Sequence, residues 1–141
     1  MKARASPGLK VLVLGGDGVG PEAIAQALRV GLWVARHPGV ELRFEDAPYG
    51  MRSWQATGEI LPAATLEAAR SADAVLFGAV GDYPGVAPEV RRSGSVLRFR
   101  TEFGLFANLR PVRHWPMLGD ACPLRAEVAV GSDMAIVREN T

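Results

Sequence analysis

The 141-residue chain can bury one ordinary hydrophobic core, and its 48% apolar content is that of a globular protein rather than a disordered one. Sixteen basic against fifteen acidic side chains leave a net charge of +1, which excludes a general attraction to nucleic acid or membrane and sends the search for a partner to local charge. One cysteine, Cys122, excludes an internal disulfide and points to a reduced, cytoplasmic protein.

The first apolar run, LKVLVLG at 9–15, reads as a strand covered on both faces. It is too short, and too soon followed by Asp17, for a signal peptide, and no stretch of the chain is apolar enough to span a membrane. A glycine turn, GGDGVGPE at 15–22, joins this strand to a helix, where backbone N–H groups and the helix dipole can meet an anion. Its spacing does not satisfy G-x-G-x-x-G, because Pro21 falls where the third glycine belongs. Glycines chosen for positive φ and close strand-to-helix packing explain the same residues equally well.

The helix at 21–36 is amphipathic, with Ile24, Leu28, Gly31, Leu32 and Ala35 on the inward stripe and Glu22, Gln26, Arg29 and Arg36 opposite. Pro21 opens it, Pro38 closes it, and Trp33 falls on its polar side. A strand at 40–46, a helix at 62–72 and a two-sided apolar strand at 72–80 follow, which predicts a parallel α/β sheet with 9–14 and 74–79 as central strands. From 81 to 94 the chain reads as a long polar loop. SVLRFRTEF is then expected helical, LFANLRPV and MAIVREN extended, and 114–123 loop-like.

Between Arg91 and Arg113 stand six arginines, with Glu102 the one acidic residue among them: a local anion-attracting patch. Arg98 and Arg100 point about 200° apart on a helix, so one of them should face solvent. Arg110 and Arg138 each end an apolar strand, and a buried strand end requires a counter-anion, either a substrate or a carboxylate such as Glu102, Asp133 or Glu139. His37 and His114 lack a second ligand in register and read as structural or surface residues, and Cys122 has no activating neighbour.

GDGVGPE after Gly15 and Gly16, LFGAVGD at 76–82, LRFRTEFGLFANLRPVR at 97–113 and IVRENT at 136–141 occur in the order found in β-decarboxylating dehydrogenases. The chain resembles the N-terminal portion of that family, the isocitrate, isopropylmalate and tartrate dehydrogenases, whose members are well over twice this length. The resemblance implies an isopropylmalate dehydrogenase-like fold, present here as a partial parallel sheet flanked by helices. Residues 1–104 would form part of the first, cofactor-side domain, and 105–141 the beginning of the second, which binds substrate and dimerises.

It further implies oxidation of a small 2-hydroxy-dicarboxylate by NAD or NADP, with Mg or Mn polarising the hydroxyl oxygen and a carboxylate lost afterwards. Arg100, Arg110 and Arg138 match the family's substrate-binding arginines, with Arg98 the solvent-side neighbour of Arg100, and Gly81 and Asp82 are candidate neighbours of the nicotinamide. The family's base and metal ligands fall beyond Thr141, so the 141 residues alone are expected to be inactive and the full-length protein to be a homodimer. Val96 and Leu97 match positions of an apolar pocket in isopropylmalate enzymes, whereas Ser93 replaces their glutamate and Gly94 and Val96 replace polar residues of isocitrate enzymes. VREN followed by Thr is closer to the tartrate/malate and isocitrate members than to the isopropylmalate form, and these residues together favour a small hydroxy-dicarboxylate such as tartrate or malate. Two other classes fit the same residues: a non-catalytic carboxylate-binding module, and a structural partner of a split dehydrogenase.

Overall fold

The computed structural model describes residues 8–81 and 83–140, without the side chains at 119 and 120. The chain divides into two compact units between Arg98 and Phe99; the expected domain limit falls after Gly104.

The first unit carries β1 (Leu9–Gly16), β2 (Leu42–Asp46) and β3 (Ala74–Ala79), with α1 (Gly20–Val34), α2 (Met51–Thr57), α3 (Ala63–Arg70) and α4 (Pro88–Ser93). The three strands are parallel in the order β2-β1-β3. β1 is central, and its Leu12, Val13 and Leu14 are at most 2% exposed, which is why this run is apolar on both faces. β3 departs from expectation: it is an edge strand, with Ala74 and Ala79 exposed and the residues between them half-buried. Its apolarity on both faces is therefore only partly used among the described residues.

Helix α1 packs on β1 and β3. Ile24 is buried, and Leu28, Gly31 and Ala35 are half-buried beside it, as the apolar stripe predicts. Leu32 is 54% exposed instead. It lies about 80° round the helix from Ile24, beyond the covered face, and joins the exposed Val30 and Trp33. Gly31 is required by packing: a Cβ there would stand 2.6 Å from the Phe44 ring.

α2 was not expected from the sequence. It starts after Gly50, whose φ is 83°, and ends at Gly58, whose φ of 76° gives a left-handed cap. Two buried hydroxyls fasten this region: Ser53 donates to the Glu59 carbonyl and Thr65 to the Pro48 carbonyl, each at 2.8 Å. Leu66 and Ala69 of α3, with Ile60 and Leu61 before it, complete the core. The expected loop at 81–94 contains a short helix, α4, whose Pro88 in the first turn needs no N–H partner.

In the second unit β4 (Ala107–Arg113) and β5 (Asp133–Glu139) form an antiparallel ladder. A 3-10 helix (Pro116–Ala121) and α6 (Ala126–Ala129) lie between them, where only loop was expected before Pro123. α5 (Val96–Glu102) precedes β4, and Phe99 stacks on Phe103 with ring centroids 5.6 Å apart. Both strands are largely exposed on both faces, contrary to the expectation of buried strand ends.

Candidate functional site

In the β4–β5 register Asn108 pairs with Arg138, Arg110 with Ile136 and Val112 with Met134. Side chains alternate across a strand, so Asn108, Arg110, Val112, Met134, Ile136 and Arg138 share one face. Arg110 and Arg138 are then diagonal neighbours, a placement with Cβ atoms about 7–8 Å apart and within reach of long side chains. Both side chains are exposed, and neither has an ion pair or hydrogen bond among the described residues. Two like charges on adjacent strands repel, and an anion between them turns that cost into a gain.

The carboxylates weighed as their partners are placed otherwise, at least in part. Asp133 accepts from Arg113 Nη2 at 2.7 Å and from its Nε at 3.1 Å. Arg113 also lies over the Trp115 ring, 5.7 Å from its centroid, on the opposite face of the ladder from Arg110. Glu139 falls on that opposite face as well, paired with Ala107.

Helix α5 offers Arg100 in its last turn, half-buried, and its side chain has no partner among the described residues. Arg100 lines a cleft of about 290 Å³ with Thr101, Gly104, Leu105, Phe106 and Asn140. Asn140 donates its main-chain N–H to the Phe106 carbonyl at 2.8 Å, extending the ladder two residues past Arg138. The structure thus places Arg110 and Arg138 on one face and Arg100 in a cleft at the end of the same ladder. Arg98 is not the solvent-facing residue expected: it is half-buried and its guanidinium donates to the Ser93 carbonyl at 3.1 Å. Arg92 faces Glu89 at 3.2 Å, an exposed pair of little energetic weight. Arg91 is exposed on α4.

The glycine turn is packed against protein at Gly16 and Gly20, while Gly18 stands in open space. Gly16 has φ 72°, and a Cβ there or at Gly20 would collide with the main chain of Ala79. Asp17 N–H donates to the Ala79 carbonyl at 2.7 Å and Gly20 N–H to the Asp17 carbonyl at 2.8 Å. Pro21 has no N–H, and Glu22 adds negative charge in the first turn of α1. The start of α1 is therefore a poor phosphate cradle, and close packing is what these glycines provide. Gly81 has φ 145° with open space where a Cβ would stand, which leaves room for a planar group. Asp82 lies outside the described residues.

A buried cluster at this strand edge escaped the sequence reading. Asp17 Oδ1 accepts from the Met51 N–H at 2.6 Å, at the start of α2. Tyr49 is buried, donates its hydroxyl to the Gly94 carbonyl at 2.8 Å and meets Phe77 edge-on. Tyr83 is 9% exposed. Burial, then the Asp17 charge, pushes the Tyr83 phenol up to about 12, and burial raises Tyr49 likewise. The signal available beforehand was Asp17 itself, a carboxylate inside a glycine turn.

His37 packs edge-on against Trp33 and bonds the Val34 carbonyl, a structural role. Cys122 is a free, half-buried thiol. Among the described residues no three His, Cys, Asp or Glu side chains are grouped to hold a metal ion, and no helix is long and apolar enough to cross a membrane.

Residues 10–141 match the family model described as isocitrate/isopropylmalate dehydrogenase. The 3-isopropylmalate dehydrogenase 1 of Bordetella bronchiseptica is 45% identical over 132 residues, 92% of this chain and 36% of the relative. The 3-isopropylmalate dehydrogenase of Thiobacillus denitrificans is 47% identical, over 94% of this chain and 38% of the relative. Among solved structures, a β-decarboxylating dehydrogenase from Thermococcus kodakarensis aligns with a TM-score of 0.66 at 36% identity, covering 94% of this chain and 34% of that one. Isocitrate dehydrogenase from Methylococcus capsulatus aligns with a TM-score of 0.74 at 26% identity, over 94% and 35%. The chain spans little more than a third of the length of these relatives.

Proposed function

Because this chain belongs to the isocitrate/isopropylmalate dehydrogenase family, we propose that it supplies the carboxylate clamp and part of the cofactor side of a dinucleotide-linked 2-hydroxy-acid dehydrogenase. The observation that carries this reading is the shared face of Arg110 and Arg138 without counter-ions among the described residues. A guanidinium offers two parallel N–H donors to a carboxylate, so each arginine can fix both position and plane. Arg100 would hold a second carboxylate from its cleft. Fixing an alcohol carbon toward a hydride acceptor lowers the barrier by orientation, and positive charge near the departing carboxylate stabilises the negative charge that develops.

NAD or NADP, when bound, supplies the hydride acceptor. The resemblance assigns Gly81 and Asp82 to its nicotinamide side, and the open space at Gly81 is compatible with that, whereas Pro21 and the acidic Glu22 make the start of α1 a poor fit for its phosphates. The resemblance puts the ligands of Mg or Mn, which would polarise the hydroxyl oxygen, and the base on other parts of the full-length protein. The first unit then serves the cofactor, the second serves substrate and dimer contacts, and the working form is a homodimer.

For substrate, the curated relatives are named for 3-isopropylmalate, and Leu97, 62% exposed beside the half-buried Val96, offers apolar surface for a branched substituent. A 3-isopropylmalate-type acid is therefore the leading candidate. Ser93 is exposed at the position where the resemblance implies a glutamate in isopropylmalate enzymes, which favours tartrate or malate as the second reading. Steady-state formation of NADH or NADPH by the full-length protein, with Mg or Mn present, separates the two. Higher kcat/KM for 3-isopropylmalate than for tartrate, malate and isocitrate is the expected result. Preference for tartrate or malate replaces the leading substrate, and turnover of none of the four refutes the dehydrogenase reading.

A further inference from the structure

Two buried polar atoms near the carboxyl ends of β1 and β3 have no hydrogen-bond partner: Asp17 Oδ2 and the Tyr83 hydroxyl. Leaving either unmade is costly, and native structures rarely keep such groups without a role or a bridging water. Their chemistry is complementary, since a phenol donates and an ionised carboxylate accepts. The two lie close together: after burial, the Asp17 charge and a side-chain hydrogen-bonding interaction with Asp17 are the causes that raise the Tyr83 phenol, although the hydroxyl and Oδ2 do not meet in hydrogen-bond geometry.

Asp17 is held rigidly from two other sides. Its main-chain N–H bonds Ala79 at the end of β3, and its Oδ1 takes the Met51 N–H at the start of α2. Gly50 makes the seat: with φ 83° it leaves space where a Cβ would stand 2.5 Å from Asp17 Oδ1. Tyr83 belongs to the segment just after β3, two residues past Gly81, and its carbonyl closes a turn by accepting from Val86 N–H at 3.2 Å. Nothing else in the described structure uses the second oxygen of Asp17.

We propose that Asp17 and Tyr83 are a positioning pair: the Tyr83 hydroxyl donates to Asp17 Oδ2, directly after a small side-chain shift or through one water, and fastens the segment following β3 onto the glycine turn. The pair joins the end of β1, the start of α2 and the segment bearing Gly81, and so sets the edge that a dinucleotide would meet. Its functional consequence rests on the cofactor-side reading above; the fastening itself does not.

The test uses the full-length protein with Tyr83→Phe, which keeps the ring and removes the donor, and Asp17→Asn, which keeps an acceptor for Met51 and can donate to the phenol oxygen. Amide hydrogen exchange over residues 83–87 should quicken about three- to tenfold in Tyr83→Phe, the range of one modest hydrogen bond. It should stay within about twofold in Asp17→Asn, the conservative rescue. KM for the dinucleotide should rise a few-fold in Tyr83→Phe while kcat changes less than about twofold. Unchanged exchange in Tyr83→Phe overturns the pair, and faster exchange without any change in KM overturns its positioning role. If the unaltered protein shows no dinucleotide-linked turnover, the proposed function fails, and the exchange measurement still decides whether the pair exists.

Discussion

Arginines distinguish themselves in this chain by what holds them. Arg113 is tied to Asp133, Arg98 to the Ser93 carbonyl and Arg92 to Glu89, while Arg100, Arg110 and Arg138 have no such tie among the described residues. Sequence spacing set Arg98 and Arg100 on different sides of a helix, but it could not show that Arg98 reaches back five residues to a carbonyl. Nor did it find Tyr83, whose role depends on burial against a residue 66 positions earlier, a contact with no local pattern. Tyr83 also gives a pH prediction. Its phenol is raised from the ordinary 10.0 to about 12, so the folded state favours the neutral form. That contribution is fully present below pH 10 and is lost as pH rises from there through about 12. Urea unfolding of the full-length protein between pH 9 and 12 should show a fall in stability that is smaller in Tyr83→Phe; equal falls would contradict the assignment. Gly31→Ala is a second residue-scale test. Helix propensity alone favours alanine by about 1 kcal/mol, but a methyl group 2.6 Å from Phe44 forces β2 and α1 apart. Overpacking of that kind costs about 1–3 kcal/mol, so thermal unfolding should move down, and an upward shift would show that α1 can retreat freely.

Strands and long helices were legible because their patterns are local. β1, α1, α3, α5, β4 and β5 fall on the segments where the sequence pattern predicts them, overrunning them by no more than one residue. α2 was missed because MRSWQAT has no apolar stripe of its own; two glycines with positive φ and the Asp17 carboxylate define its ends. β3 was expected to be central because apolarity on both faces records burial without saying what covers each face. Its edge position and the bare faces of β4–β5 follow the same logic at the level of the element. Leu109, Val137 and Phe106 are each at least 66% exposed, and unpaired strand edges with apolar side chains promote association. The 141-residue chain expressed alone should therefore bind an apolar fluorescent dye and sediment as a mixture of assemblies. A monodisperse monomer that binds no dye would show that these faces are satisfied within the 141 residues. Thr65→Val probes the better-packed side of the fold. It removes the hydrogen bond to the Pro48 carbonyl, which lies at the edge of the core, and should cost about 0.5–1.5 kcal/mol in the full-length protein, read as a shift in urea midpoint.

At the scale of the whole molecule, the proposed function divides between the two units. The first holds the parallel sheet and the Asp17–Tyr83 edge, and all three clamp arginines lie beyond Arg98 in the second. Family membership was legible because four motifs stand in fixed order, whereas the substrate was not, since Ser93 and Leu97 point to different acids. The role proposed for Arg100, Arg110 and Arg138 is to hold the substrate carboxylates. Charge-assisted hydrogen bonds contribute about 1.5–3 kcal/mol each, so removing one such arginine should lower kcat/KM about tenfold to a hundredfold or more. Arg98, bonded to a main-chain carbonyl, serves as the control: its loss loosens the start of α5 without removing a carboxylate ligand. The decisive measurement is kcat/KM for the preferred hydroxy acid in the full-length protein, unaltered and with Arg98→Ala, Arg100→Ala, Arg110→Ala or Arg138→Ala. The account predicts a loss of about tenfold or more for each clamp arginine and a much smaller one for Arg98→Ala; equal losses for Arg98 and the clamp, or no loss at Arg110 and Arg138, would contradict it.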